Sequence, residues 1–393
     1  MKTVLFLILF CLLPGSAAVC GASSGQDFGA LAATDSGEII YAKNRNQPFI
    51  PASTLKIFTA LGALHYLGEE FTFKTDVFLD REKNLTIKGY GDPLLTSEVL
   101  TTLCRRLATR LKQEGITAVR AIVLDDTYFQ ENPGIPGRRA SLNPYDAPTG
   151  ALCANFNTIC FAYSRKEGRY VSGEKQTPLL KGFEKKIRAS GLKKGRIPLT
   201  RAKSRLYPGM LIKHFLEQEK IGVKGPVKTG AVGNTSPVFF THHSPYSLTD
   251  VIRKMLKFSS NFMANQLFLT IGAEAFSPPA TLEKGIEALT RLADNRLHLT
   301  GTRIFEGSGL SRQNRTTPED MLKILTAFRP YHRLMRKNEK EYFKTGTLHG
   351  IRTRAGYFTG RHNRLHPFIF RGLTPATDRF LRKKIKKHPV FTP

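Results

Sequence analysis

The chain has 393 residues, with 60 Lys and Arg against 31 Asp and Glu, a formal net charge of +29, 41% apolar residues and no tryptophan. The apolar share is that of a globular protein, and the length excludes a single compact core in favour of two or three domains. The charge attracts polyanions. Nucleic acid is the natural partner of such a chain inside a cell, but the N-terminus points elsewhere.

Lys2 is followed by ten apolar residues, Val4–Leu13, then by Pro14-Gly15 and the small residues Ser16 and Ala18. This is the pattern of a secretory signal, residues 1–18, cut after Ala18. Ten residues are too few to span a bilayer, which takes roughly 20. The chain is therefore expected to be secreted or periplasmic. A lipid anchor at Cys20 is the less favoured option, because Val19 is a poor residue before a lipidated cysteine. Anionic envelope polymers replace nucleic acid as the expected partner of the basic surface. The four cysteines of the mature chain, Cys20, Cys104, Cys153 and Cys160, match no zinc spacing. Export permits disulfides, and a Cys153–Cys160 bridge is one option; Cys104, on the apolar face of a helix, reads as a small core residue.

In chain order, Ala30–Thr34 and Glu38–Tyr41 read as strands joined by the turn Asp35-Ser36-Gly37. Leu55–Leu67 has helical apolar spacing. Strands follow at Phe71–Leu79 and Leu85–Lys88, then an amphipathic helix over Thr96–Glu114 with Val99, Leu100, Leu103, Leu107 and Leu111 on one face. Val119–Leu124 reads as one buried strand. Arg165–Arg205 holds 14 Lys and Arg against 3 Glu and reads as a basic, loop-like surface. Beyond Ser244, helices are expected from an N-cap at Ser247 to Lys257, at Asn261–Thr270, at Ala280–Arg296 and at Pro318–Phe328. Strands Phe343–Leu348, Thr353–Phe358 and Pro367–Arg371 follow. The tail from Arg361 to His388 carries 9 Lys and Arg against one Asp and reads as a poor amphipathic helix.

Three short motifs carry chemistry. In Ser53-Thr54-Leu55-Lys56, at a helix start, the hydroxyl and the amine lie one turn apart on the same side. A lysine made partly neutral by burial can take a serine proton. In Ser259-Ser260-Asn261, between two helices, a hydroxyl can relay a proton and an amide can hold a substrate carbonyl. In Lys344-Thr345-Gly346-Thr347, on an edge strand, lysine and threonine suit a carboxylate, and Gly346 lets a substrate approach the backbone. The Thr347 N–H can join that of Ser53 as an oxyanion hole. Lys228-Thr229-Gly230 repeats the three letters but precedes Ser259 in a Gly/Pro-rich stretch, and reads as a turn.

The order S-x-x-K, S-x-N, K-T-G resembles that of penicillin-recognising serine enzymes. Ser53 and Ser259 are 206 positions apart, a spacing similar to that of D-alanyl-D-alanine carboxypeptidases of the penicillin-binding protein 4 type (class C low-molecular-mass, peptidase family S13). Gly89-Tyr90-Gly91-Asp92-Pro93, Asp125–Phe129, Ala151–Asn157 and Glu306-Gly307-Ser308-Gly309-Leu310-Ser311-Arg312 resemble further segments of that family. The resemblance implies an α+β architecture. A β-lactamase/transpeptidase-like domain, an antiparallel sheet flanked by helices, spans 19–67 and 244–393, and a mixed α/β domain over 68–243 interrupts it. It implies Ser53 as nucleophile, Lys56 as general base, Ser259 as proton relay, and Asn261, Lys344, Thr345, Gly346 and Thr347 as substrate contacts. The implied substrates are peptidoglycan stem peptides, with β-lactams as covalent inhibitors and no metal or organic cofactor. The chain departs from the family in lacking a G-x-D-G-T-L stretch before Lys344, in a small insertion, and in its basic tail.

Overall fold

The structure, a computed structural model, describes residues 28–233, 236–372 and 374–391. The expected leader and Cys20 lie outside them. The chain opens with the hairpin β1 (Gly29–Ala33) and β2 (Ile39–Lys43), and a 3-10 turn at Ala52–Leu55 then runs into α1 (Lys56–Leu67). Next come β3 (Thr72–Leu79), β4 (Leu85–Gly89), α2 (Ser97–Gln113), β5 (Ala118–Val119) and β6 (Ile122–Asp125). The single strand expected over Val119–Leu124 is two strands in different sheets. The chain steps between them at Arg120, whose N–H is held by Lys83 O at 2.8 Å.

The basic stretch is not a loop. Beyond β7 (Thr158–Ser164) it forms β8 (Arg169–Ser172), α3 (Glu184–Ala189), β9 (Lys194–Pro198) and the start of α4 (Arg201–Gln218). Its widely spaced apolar residues Phe183, Ile187, Ile197 and Leu199 are all buried, and the cations project around them. Strands β10 (Gly222–Val223), β11 (Val227–Thr229) and β12 (Phe240–Ser247) follow. Lys228-Thr229 is thus strand β11, parallel to β6, rather than a turn.

The third stretch starts with α5 (Leu248–Phe258), closed by a reciprocal capping box between Ser247 and Asp250. It continues through α6 (Asn261–Phe276), α7 (Leu282–Leu292), α8 (Pro318–Phe328), β13 (Arg336–Asn338), β14 (Glu341–Leu348), β15 (Ile351–Thr359), β16 (Leu365–Arg371) and α9 (Pro375–Ile385).

Two main sheets result. One is antiparallel, in the order β13-β14-β15-β16-β1-β2; the other is mixed, in the order β11-β6-β4-β3-β12. The period-2 alternation of a strand sends neighbours to opposite faces. Leu31, Ala355, Tyr357 and Ile369 of the antiparallel sheet pack in the large cluster built on α1, α5, α6, α7 and α8. Ala30, Ala32, Phe358, Phe368 and Phe370 pack on the other face, against Leu381 and Ile385 of α9. The mixed sheet has its own core with α2 and α4. The stretch between α1 and α5 leaves and returns at one point: Thr72 of β3 pairs with Ser247 of β12, and Leu248 N donates to Phe71 O at 3.1 Å.

The C-terminal tail differs from expectation. Its helix needs only Leu381 and Ile385, one turn apart and at most 1% exposed, to cover the outer face of the sheet. Cationic Arg382 is held by buried Glu341, which also pairs with Arg354 at 3.1 Å. No Cys153–Cys160 bridge forms, and both are free thiols, as is Cys104. Cys153 Sγ lies 3.2 Å from Gly150 O and accepts from Asn157 Nδ2 at 2.8 Å. If α9 is part of the folded unit, Leu381→Ala lowers the unfolding free energy by about 2–5 kcal/mol, measured by urea denaturation. A change below about 0.5 kcal/mol, the size of an ordinary surface substitution, would mean that α9 does not pack.

Candidate active site

The helix α1 starts at Lys56, so the turn before it places Ser53 and Lys56 on one side. Ala52, just ahead of the serine, is fully buried with φ +46°, a backbone region costly for an L-residue. Two close backbone approaches hold it there. A Cβ at Gly309 (φ +79°) would collide with Ala52 O, and one at Gly346 would come within 2.8 Å of Ser53 N. The loop at Ser308–Gly309 and strand β14 therefore clamp the serine turn from two sides.

Lys56 has no exposed surface. Its Nζ lies 3.0 Å from Ser53 Oγ, 2.8 Å from Asn261 Oδ1 and 2.6 Å from Ser308 O. Burial, reinforced by the Lys344 ammonium and opposed by the Glu306 carboxylate, holds its pKa well below the ordinary lysine value. Asn261 is the first residue of α6, and the Ser260 hydroxyl caps that helix at Met263 N. Ser259 ends α5 in the left-handed region, φ +55°. Its hydroxyl receives Lys344 Nζ at 2.8 Å, and the same ammonium donates to Thr345 O at 2.6 Å. Burial, then the Arg336 guanidinium, brings the Lys344 pKa down to about 8.

The structure thus gathers Ser53, Lys56, Ser259, Asn261, Lys344 and Gly346 at one place. Lys228 stays exposed in the other sheet. Thr345 and Thr347 stand differently from Lys344. They pair across β15 with Arg354 and Arg352, and Arg354 pairs in turn with Phe370 of the α9-side cluster. Alternation therefore turns both threonine side chains to the α9 face of the sheet. Beyond the short pairing with β13 at Glu341–Phe343, residues 344–348 form an open edge.

The Glu306–Arg312 loop, similar to a family segment in sequence but without a role assigned there, contributes directly to this site. Glu306 is fully buried. Its carboxylate accepts from Ser308 N (2.7 Å) and Oγ (2.5 Å), Ser311 N (3.2 Å) and Asn314 Nδ2 (2.8 Å). Gly307 is pinned on both sides, by Asn265 Oδ1 at 2.9 Å and by the Thr59 hydroxyl at 2.6 Å. This network aims Ser308 O at the lysine. An acid inside a Gly/Ser-rich run was the available signal.

The chain is 25% identical over 343 residues to a D-alanyl-D-alanine carboxypeptidase of Actinomadura sp. (strain R39), covering 74% of this chain and 62% of that protein. It is 25% identical over 346 residues to the D-alanyl-D-alanine carboxypeptidase DacB of Haemophilus influenzae, covering 77% of this chain and 71% of the relative. The chain thus spans less than two thirds of the first relative's length. The fold matches the crystal structure of penicillin binding protein 4 from H. influenzae with a TM-score of 0.69 and 21% identity, over 88% of this chain and 89% of the other. The family profile stops short of β14, so Lys344 is placed by the fold. Matched by that profile over residues 18–177 and 184–337, the chain belongs to the D-Ala-D-Ala carboxypeptidase 3 (S13) family.

Proposed function

We propose that the chain is an exported serine DD-peptidase that releases the terminal D-alanine of peptidoglycan stem peptides through an acyl-enzyme on Ser53, and that β-lactams acylate the same hydroxyl. The observation that carries this reading is the buried Lys56 Nζ, 3.0 Å from Ser53 Oγ and depressed in pKa by its surroundings. A neutral Lys56 accepts the Ser53 proton as Oγ attacks the penultimate D-alanine carbonyl. The Ser53 and Thr347 N–H groups receive the oxyanion. Collapse breaks the C–N bond, and the leaving amine takes a proton through Ser259, which Lys344 holds. Water then releases the acyl group. Asn261 spends its oxygen on Lys56, leaving its amide nitrogen for a substrate carbonyl. The Thr345 and Thr347 hydroxyls, on the α9 side of β14, serve the substrate carboxylate, Lys344 on the other side of the strand adds positive charge, and the open edge of β14 receives the substrate backbone.

The division into a catalytic unit, 19–67 with 244–393, and an insert, 68–243, belongs to the same proposal. It is supported by two separate apolar cores. Cleavage of cross-linked stems and docking of the basic surface on anionic envelope polymers extend it. Among the described residues no helix is long and apolar enough to cross a membrane.

A fluorescent penicillin is expected to label the purified protein covalently and to leave Ser53→Ala unlabelled. A folded wild-type protein that never labels would remove the reading. Lys56→Ala slows acylation by about 10²–10⁴-fold with an unchanged circular dichroism spectrum. Because only the neutral amine accepts a proton, the wild-type acylation rate rises with pH along a limb well below the ordinary lysine value of 10.5; a limb at that value would mean another base. Lys344→Ala lowers kcat/KM on a D-Ala-D-Ala peptide by about ten- to a hundredfold, the scale of one lost charged hydrogen bond. Lys228→Ala leaves it unchanged, and an equal loss in both variants would show the wrong lysine was chosen.

A further inference from the structure

The stretch Ala151–Asn157 has no part in the proposed chemistry, yet it ends in three successive residues with left-handed backbone: Asn155 (φ +48°), Phe156 (φ +61°) and Asn157 (φ +52°). Asparagine tolerates that region; phenylalanine rarely enters it. The two asparagines hold the turn from either side. Asn155 Oδ1 accepts from Ser97 N at 2.9 Å and its Nδ2 donates to Ser97 Oγ at 2.8 Å, while Asn157 Nδ2 donates to Pro148 O at 2.8 Å. Both asparagines are buried, and Phe156 between them is half-buried. Backbone strain of this kind collects at functional sites. Here it sets the Phe156 ring edge to face with Phe262, at 6.0 Å between centroids, one residue beyond Asn261.

Phe156 walls a groove of about 400 Å³ that runs between the 68–243 stretch and helices α5 and α6. Tyr145, Tyr246, Phe258 and Phe262 supply its other rings. Tyr145 is 61% exposed and Phe258 64% exposed, so two large rings stand at the rim facing water. Asn261 lines the groove, whereas Thr345 and Thr347 do not, so the groove continues from the acyl side of the site and not from its carboxylate end. Its charge is close to balanced. Of its three ionic side chains, Arg196 is engaged by Glu174 and donates to the Thr158 hydroxyl at 2.7 Å. That leaves one acid, Glu98, and one ammonium, Lys254, which lies 5.0 Å over the Tyr246 ring. Such a groove favours a neutral ligand over a polyanion. The ladder for an extended peptide is the edge of β14; the groove offers flat rings instead. The negative face of an aromatic ring attracts the polarised C–H bonds of a pyranose. The Glu98 carboxylate, the Lys254 ammonium and the Thr96 hydroxyl can meet its hydroxyls. The volume lies within the small-ligand range of about 300–1,000 Å³.

We propose that this groove binds a neutral N-acetylhexosamine of the glycan strand from which the stem peptide hangs, so that sugar and peptide are held together. The inference rests on the reading of Ser53 as the nucleophile of a DD-peptidase, and it names what the acyl side of that site engages beyond the stem: sugar-linked stems are preferred over free peptides.

The test compares two substrates with the same stem peptide ending in D-Ala-D-Ala, one capped by acetyl and one joined to the N-acetylglucosaminyl-N-acetylmuramoyl disaccharide. Wild-type kcat/KM is expected to be at least tenfold higher on the second, mostly through KM. The double variant Y145A/F258A, which removes the two exposed rings, should lose that advantage. It should change less than twofold on the capped peptide and in its rate of acylation by penicillin. Because the sugar is neutral, added salt should leave the ratio between the two substrates unchanged. Equal wild-type values on both substrates, a variant that keeps the advantage or loses equally on both, or a ratio that falls with salt would overturn the sugar site while leaving the enzyme reading intact. Should the wild type fail to acylate at all, the enzyme reading falls. Calorimetry of di-N-acetylchitobiose, a neutral disaccharide of the same class, on wild type and Y145A/F258A then decides the groove alone, and equal affinities, or binding to neither, would overturn it.

Discussion

A lysine with no exposed surface is the constraint around which the part of the chain that holds α1, α6 and β14 is organised. Removing an ammonium from water is costly unless oxygen atoms replace the solvent. Lys56 finds three, and they come from distant parts of the sequence: Ser53 just before it, Asn261 at the start of α6, and Ser308 in the loop after α7. The amine cannot be satisfied until α1, α6 and that loop are all in place. The proposed chemistry and the folding of this part of the chain therefore share one requirement. The same burial that makes the site expensive lowers the pKa of the amine, so that it is neutral at a pH where an ordinary lysine is still charged, as the proposed proton transfer requires.

The strand opposite the lysine is held less directly. Lys344 reaches Ser259 only because β14 lies flush against the Ser53 turn, which Gly346 permits. Glu341, at the start of β14, ties the strand to Arg354 on β15 and Arg382 on α9. Burial raises its carboxyl; the Asn338 hydrogen bond and the two guanidiniums more than reverse that, and the net shift is downward. Through the Arg382–Glu341 pair the tail thus bears on how the lysine-bearing strand is set.

Much of this was legible in the sequence, because the signals were local. Helix α8 was read with its ends at Pro318 and Phe328, where a proline at the first helical position and two acids mark the start. The three motifs, taken in order, led to the residues that the structure brings together. What escaped depended on contacts far along the chain. Two apolar residues in a cationic tail carry no visible periodicity, and only the sheet they cover makes α9 a helix. The 165–205 stretch hid its buried Phe183, Ile187 and Ile197 among charges. The break at Arg120 depends on Lys83, remote in sequence. That Thr345 and Thr347 project to one side follows from alternation, but which face that is depends on the pairing of β14 with β15 and of β15 with β16.

The shared doorway of the long central segment has a topological meaning. Because β3 departs beside β12, at Thr72 and Ser247, the segment between Leu67 and Leu248 adds almost nothing to the distance that α1 and α5 must bridge. To those two helices, the segment behaves as a stitched loop whose length is free to vary. A change in how much chain lies between Leu67 and Leu248 leaves the distance across that doorway as it is.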